Sequence, residues 1–216
     1  MNDKVGSCML GPKRSIVVIA MCFGMLGCVS GANVNKAIAI PKPLIESVPV
    51  TVGLHISDNL ASTVHQESVP GHGTYTIEIG ESQEHLFSQV FGAVFDDVVV
   101  VESLNDIPDG ISAIIVPEIE LTQISLPHLS GDDVYEVWIS YAISLLDAET
   151  GKSIHDWTVQ GYGSANRNNY GNPLDRASKA LRDATKGAFR DAAAFISFRY
   201  VRQQAVYDWI GSTQSP

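Results

Sequence analysis

The stretch from Val134 to Ala165 restricts the fold more than any other, because it is two long runs of alternating character joined by Ala148-Glu149-Thr150-Gly151. A period of two sends successive side chains to opposite faces of a strand, and Gly151 offers the positive φ that a tight hairpin loop needs. One register puts Tyr135, Val137, Ile139, Tyr141 and Ile143 on the same face as Trp157 and Val159, which gathers nearly all the large apolar groups. A slip of one residue would invert that arrangement, so the pattern itself predicts the pairing. The opposite face then holds Glu136, Trp138, Ser140, Ser144, Asp156, Thr158, Gln160 and Tyr162. Trp138 and Tyr162 are the odd members of this polar face and are the candidate partner-binding residues; the competing explanation is cross-strand packing beneath the C-terminal tail.

Other segments supply the rest of a sheet. Val50 to Ser57 alternates, with Val50, Val52, Leu54 and Ile56 on one side and His55 on the other. Asp58-Asn59-Leu60 reads as a turn, Ser68 to Gly73 as a loop, and Thr74 to Ile79 as a strand burying Tyr75, Ile77 and Ile79. The four valines Val98 to Val101 suit a strand that is covered on both faces or is short and central. Ala113 to Leu126 reads as one long strand in which Ile115, Ile119 and Leu121 face one way. Pro117 cannot donate to a ladder, so that part belongs at a sheet edge or bulge.

Helices follow from a change of period. After a proposed N-cap at Ser82, Leu86, Phe87, Val90, Phe91, Val94 and Phe95 recur on one stripe. Gly161 to Gly171 reads as a polar connector. A second helix is expected from Asn172-Pro173, with Leu174, Ala177, Leu181, Ala184, Ala188, Ala192 and Phe195 on its stripe. Its alanines allow close approach to a neighbour. A short amphipathic helix is expected between Tyr200 and Ile210, and residues 211–216 should fray. The order predicts one α+β domain over residues 50–210, a largely antiparallel sheet with two main helices packed on one face.

The N-terminal part carries a different signal. Lys4, Lys13 and Arg14 precede an apolar run that begins at Ser15 and ends at Met25-Leu26-Gly27-Cys28, too short to span a bilayer. This resembles the bacterial lipobox, in which the cysteine thiol takes a diacylglyceryl group and the preceding peptide is removed; Met25 stands where Leu is commoner. The resemblance implies a signal peptide at residues 1–27 and lipidation of Cys28. Residues 28–49, with Pro41, Pro43 and several small polar residues, then read as the lipidated N-terminus and a tether, with docking of Ala37 to Ile40 on the domain as the alternative. Val29 stands where Asp commonly signals inner-membrane retention in this class, which implies the outer membrane.

Cysteine usage and charge fit that resemblance. Of the three cysteines, Cys8 and Cys22 precede the cut, so the mature chain keeps one and forms no internal disulfide. Of the 14 Lys+Arg, three precede Cys28, and of the 24 Asp+Glu only one, which leaves a mature net charge of −12. Such a balance repels polyphosphate, so nucleic acid is not an expected partner. Anchoring has to come from acyl chains, palmitate among them, at about 0.8 kcal/mol per buried methylene.

The element order, together with the lipobox, resembles the YajG-type envelope lipoproteins. The likeness lies in the "TVGLHISD" opening, the helix after a "G-E-S" turn, the "DAETGK" hairpin followed by "DWTVQGYGSANRN", and the closing alanine-rich helix, roughly from Val50 to Ile196. The lipopolysaccharide-assembly lipoprotein and the auxiliary lipoproteins of ABC transporters are similar in layout. The resemblance implies an accessory role in the cell envelope.

Catalytic signatures are missing. The six histidines are scattered, and the chain has no H-E-x-x-H, no G-x-S-x-G and no G-x-x-x-x-G-K-[ST]. No cofactor, no metal and no enzymatic activity are expected; Asp96-Asp97 and Asp132-Asp133 read as solvated turn acids. The leading expectation is a noncatalytic adaptor that binds an envelope protein. The alternative is a carrier of a lipid or other apolar ligand between the first helix and the sheet, with a cavity among Phe87, Phe91, Phe95 and Trp157.

Overall fold

A computed structural model describes residues 31–35 and 38–213. The signal peptide and Cys28 lie outside the described residues. Eight strands are described: β1 (Ala32–Val34), β2 (Val48–Leu54), β3 (Val64–Val69), β4 (Gly73–Glu78), β5 (Phe95–Val100), β6 (Ala113–Ser125), β7 (Val134–Asp147) and β8 (Ser153–Asn166). The helices are α1 (Asp58–Ala61), α2 (Gly80–Val94), α3 (Pro127–Ser130), α4 (Arg176–Arg199) and α5 (Gln204–Thr213). The main sheet runs β5-β2-β6-β7-β8, and a smaller one runs β1-β4-β3. The architecture is α+β.

The hairpin has the expected register: Tyr141 opposes Val159, Ile143 opposes Trp157 and Trp138 opposes Tyr162. Gly151 adopts φ +66 in its loop. Strand β8 continues through Gly161 and Gly163 to Asn166 and does not give way to a connector at Gly161. Those two glycines lie on the buried face, under α4. A Cβ at Gly161 would stand 2.1 Å from the Ala188 carbonyl oxygen, and one at Gly163 would stand 2.0 Å from that of Ala184. Helix and strand backbones therefore touch, with Ala180, Ala184, Ala188 and Ala192 at 0% exposure along the contact.

Helix α4 starts at Arg176, not at Pro173, and Leu174 is 94% exposed ahead of it. Its buried stripe ends on Ile196, while Phe195 turns outward, stacks on Trp157 at 5.9 Å and carries the Arg199 guanidinium over its ring. Helix α2 begins at Gly80, and Ser82 does not cap it. Ser82 is instead buried in the first turn, where its hydroxyl accepts from the Ile38 N–H at 2.8 Å.

That bond belongs to a larger difference from expectation. Part of the segment read as a tether is docked: β1 pairs in parallel with β4, and Ala32, Val34, Ile38 and Ile40 are all 2–4% exposed. Its four apolar side chains complete the core, which outweighs the freedom they would keep in solution. Strand β3 also fills the stretch before the expected loop, pairing antiparallel with β4.

Strand β2 lies parallel to both β5 and β6, two pairings the alternation did not announce. A parallel partner requires a long crossover, and the β3–β4 hairpin with α2 provides it. Phe95 begins β5 directly after α2, and Asp96 and Asp97 lie within that strand. The valine run is therefore an edge strand, with Val100 66% exposed, and not one covered on both faces. Pro117 lies on β6 beyond its short pairing with β2; Ile115 accepts from the His55 N–H on that side, and Pro117, two residues on, faces the same unpaired edge.

Replacing Gly163 by Ala should push α4 off the sheet, because the obstacle is backbone. We expect a loss of about 2–3 kcal/mol, read as a lower urea midpoint with an unchanged m-value. Gly71→Ala, at a turn whose φ is +76 but whose surroundings are open, is the control for a purely local cost.

Candidate partner-binding face

One face of the β6-β7-β8 part of the sheet carries α4 and the core; the other is the face expected to hold Trp138 and Tyr162. The two rings meet there at 5.2 Å between centroids, tilted by 43°. The Tyr162 hydroxyl donates to Glu136 Oε1 at 2.7 Å, and this bond raises the phenol above its ordinary pKa. Ser140 donates to Glu120 Oε2 at 2.9 Å.

A bulge brings a further residue to this surface. Ile119 opposes Tyr141 and Leu121 opposes Ser140, so Glu120 is the extra residue and the inside-outside parity of β6 reverses beyond it. Leu121, expected to face inward with Ile115 and Ile119, is turned outward and is 53% exposed. Ile124 and Leu126 take the inward positions at 3% and 0%. In the sequence alone Leu121 continues the odd-numbered phase of Ile115 and Ile119, and only the bulge reverses it.

Leu121, Gln123, Trp138, Ile139, Ser140 and Gln160 line a shallow depression of about 220 Å³. Tyr162 beside it is 42% exposed. The C-terminal helix does not cover the pair; its Trp209 lies edge-on to Phe95 in the core at 6.5 Å. Strands β6, β7 and β8 contain no Lys or Arg, while Glu120, bonded to Ser140, and Glu136, bonded to Tyr162, border the apolar patch, and Glu118 and Asp156 lie farther along the same strands. The site is thus apolar at the centre and acidic at the rim. At the outer edge of β8, Asp191 of α4 accepts from the Tyr162 N–H at 3.0 Å, which occupies one of the donors an added strand would use.

The cavity needed by a ligand carrier is filled. Phe87 packs edge-on to Tyr141 at 5.1 Å, Phe91 to Tyr200 at 5.3 Å, and Phe95 to both Tyr200 and Trp209. Phe87, Phe91 and Phe95 are at most 1% exposed, and Trp157 closes on Tyr200 at 5.7 Å. The space between α2 and the sheet is occupied by the protein's own rings. Among the described residues no group of three or more His, Cys, Asp or Glu is placed to hold a metal ion.

A second polar cluster lies at the end of the sheet where β7 begins. His72 stacks on His128 at 3.9 Å, joining the β3–β4 turn to α3, and Tyr75 leans on His128 at 5.9 Å. Asp133 accepts from the Asn168 side-chain amide and pairs with Arg167 at 2.6 Å, and these bonds, the Asn168 one first, hold its carboxyl below the usual range. Desolvation, then His72, then Arg167 push the His128 pKa down; desolvation lowers that of His65 in β3, against the opposing pull of Glu67.

No family model matches the chain, and no curated protein matches it. Among solved structures the chain is similar to a protein of the DUF330 family from Xanthomonas campestris, at 10% identity and a TM-score of 0.46, over 86% of this chain and 96% of that one. It is also similar to a minor lipoprotein from Acinetobacter baumannii, at 12% identity and a TM-score of 0.42, over 76% of this chain and 96% of that one. Likenesses at these scores assign neither an activity nor a partner.

The two lowered histidines set a pH dependence. The folded state binds fewer protons than the unfolded chain at these sites, so stability is complete above about pH 6.5 and falls as the pH drops below it. Lowered carboxyls such as Asp133 add a second loss below about pH 4. Urea midpoints measured across this range should show both steps, and His128→Gln should shrink only the first.

Proposed function

We propose that this chain is a noncatalytic, lipid-anchored accessory protein of the bacterial envelope, held to the outer membrane through acylated Cys28 and facing the periplasm. Its partner is a protein that docks on the outer sheet face around Trp138 and Tyr162. One observation carries the second part: an apolar patch in which Leu121 and Tyr162 are exposed beside a half-buried Trp138, on strands that hold carboxylates and no basic residue. Aromatic anchors at the centre with a polar rim are the arrangement of an interface hot spot. A partner of complementary chemistry presents Lys or Arg among apolar side chains, since a cation can meet both the ring faces and the carboxylates. The lipobox carries the first part, with Val29 in place of Asp supporting the outer membrane.

Two measurements test this reading. Cys28→Ser should abolish incorporation of labelled fatty acid and release the protein from membranes; unchanged membrane retention would refute the anchor. A photo-crosslinker at Gln160 should give a discrete adduct in cells that one at Glu149, in the hairpin loop, does not. Trp138→Ala should lower the adduct yield at least about tenfold while the far-ultraviolet spectrum stays unchanged. Equal yields with and without the Trp138 ring would remove this face from consideration.

A further inference from the structure

The docking of the N-terminal segment shortens the anchor. Strand β1 begins at Ala32, and Gly31 already lies against the Thr74 backbone, so close that a Cβ there would stand 2.0 Å from its carbonyl oxygen. Only Val29 and Ser30 separate Gly31 from Cys28. Three Cα–Cα steps reach at most about 11 Å. A chain lipidated at Cys28 therefore enters its folded domain about one headgroup layer from the acyl chains, with no room for a long tether.

The entry point belongs to a definable pole. Because β1 is parallel to β4 and Ala32 pairs with Tyr75, β1 starts beside the β3–β4 turn. The His72–His128 stack brings α3 to the same turn. Asp133, at the foot of β7, bonds to Arg167 and Asn168 just past the end of β8. Asn33 donates to Ser178 Oγ at 3.2 Å, which places the start of α4 there too. This pole exposes two leucines from separate elements: Leu129 of α3 is 59% exposed, and Leu174 ahead of α4 is 94% exposed. The pole's acidity is largely offset, since Asp133 is paired with Arg167 and Asp175 with Lys179 at 2.8 Å, leaving Asp132 as its exposed carboxylate beside Leu129.

We propose that this pole is a membrane-contact surface: the β3–β4 turn, α3 and the segment preceding α4 rest on the bilayer that holds the anchor, with Leu129 and Leu174 inserted at the headgroup–acyl boundary. Exposed leucines on a short helix and on the turn ahead of α4 suit shallow insertion, and the short anchor holds this pole close to the bilayer. The inference rests on lipidation of Cys28 as proposed above. It also sets an orientation, with the β7–β8 loop pointing away from the membrane.

The test uses the full mature lipidated protein in vesicles of phosphatidylethanolamine and phosphatidylglycerol. Leu129→Cys, Leu174→Cys and, as control, Leu121→Cys each add one thiol for a nitroxide, since the Cys28 sulfur is occupied by lipid. Accessibility is read with oxygen, which concentrates in the bilayer, against a water-soluble nickel chelate. Labels at 129 and 174 should lose nickel accessibility several-fold and gain oxygen accessibility on reconstitution, while the label at 121 keeps its values. Intact mass separates the two ways of failing. Lipid present on Cys28 with all three labels equally exposed to nickel overturns the membrane-contact pole alone. Lipid absent from Cys28 overturns the anchor and this inference together.

Discussion

The contact between α4 and β8 is the interaction on which the rest of the molecule depends. Gly161 and Gly163 remove the side chains that would normally hold a helix about 10 Å from a sheet, and the alanines at 180, 184, 188 and 192 remove them from the other partner. The resulting backbone approach draws Leu181, Phe189 and Ile196 of α4 into the core that Tyr141, Phe87 and Phe91 also fill. Small residues here supply proximity, and the neighbouring large ones supply the buried area. A single added methyl in the track is consequently felt along the whole helix.

The second dependence is on the N-terminal segment. Ser82 lies in the first turn of α2, where helical N–H groups have no intrahelical partner and a serine usually caps. Its buried hydroxyl instead accepts from Ile38, so the start of α2 is tied to a segment that pattern alone places outside the domain. Ala32 and Val34 then extend the small sheet, and Ile38 and Ile40 close the core beside it. The same residues that stabilise the fold thereby consume the length that would have separated the domain from the proposed anchor at Cys28.

The hairpin register, the aromatic stripe of α2 and the alanine stripe of α4 were legible in the sequence because each repeats a period over several turns or residue pairs. Four features were not. Strand β1 is three residues long, too short for alternation to register, and its partner β4 is about forty residues away. The valine run at 98–101 has no polar phase, so an edge strand and a buried one look alike. Leu174 and Phe195 sit at stripe spacing, yet one precedes the first turn and the other meets Trp157 instead of the core. At the candidate site, Trp138 and Tyr162 followed from parity, whereas Leu121 and Glu120 depend on the bulge, a break in parity that a fixed period cannot express.

That bulge connects fold to function in a specific way. Were β6 regular through Glu120, Leu121 would point into the core and Ile124 and Leu126 would point to solvent, so the bulge is what lets β6 keep both its buried end and an apolar group beside Trp138. It also sets Glu120 next to Ser140, adding a carboxylate to the rim at the point where the leucine emerges. The patch stands four residues along β7 from its start at Val134, about 13 Å along the strand from the pole where the N-terminal segment enters. If the chain is the lipid-anchored adaptor proposed above, it reaches only partners whose basic, apolar segment lies within a comparable height of the bilayer. On the proposed anchoring, that height suits a membrane-embedded or membrane-bound partner better than one that diffuses freely.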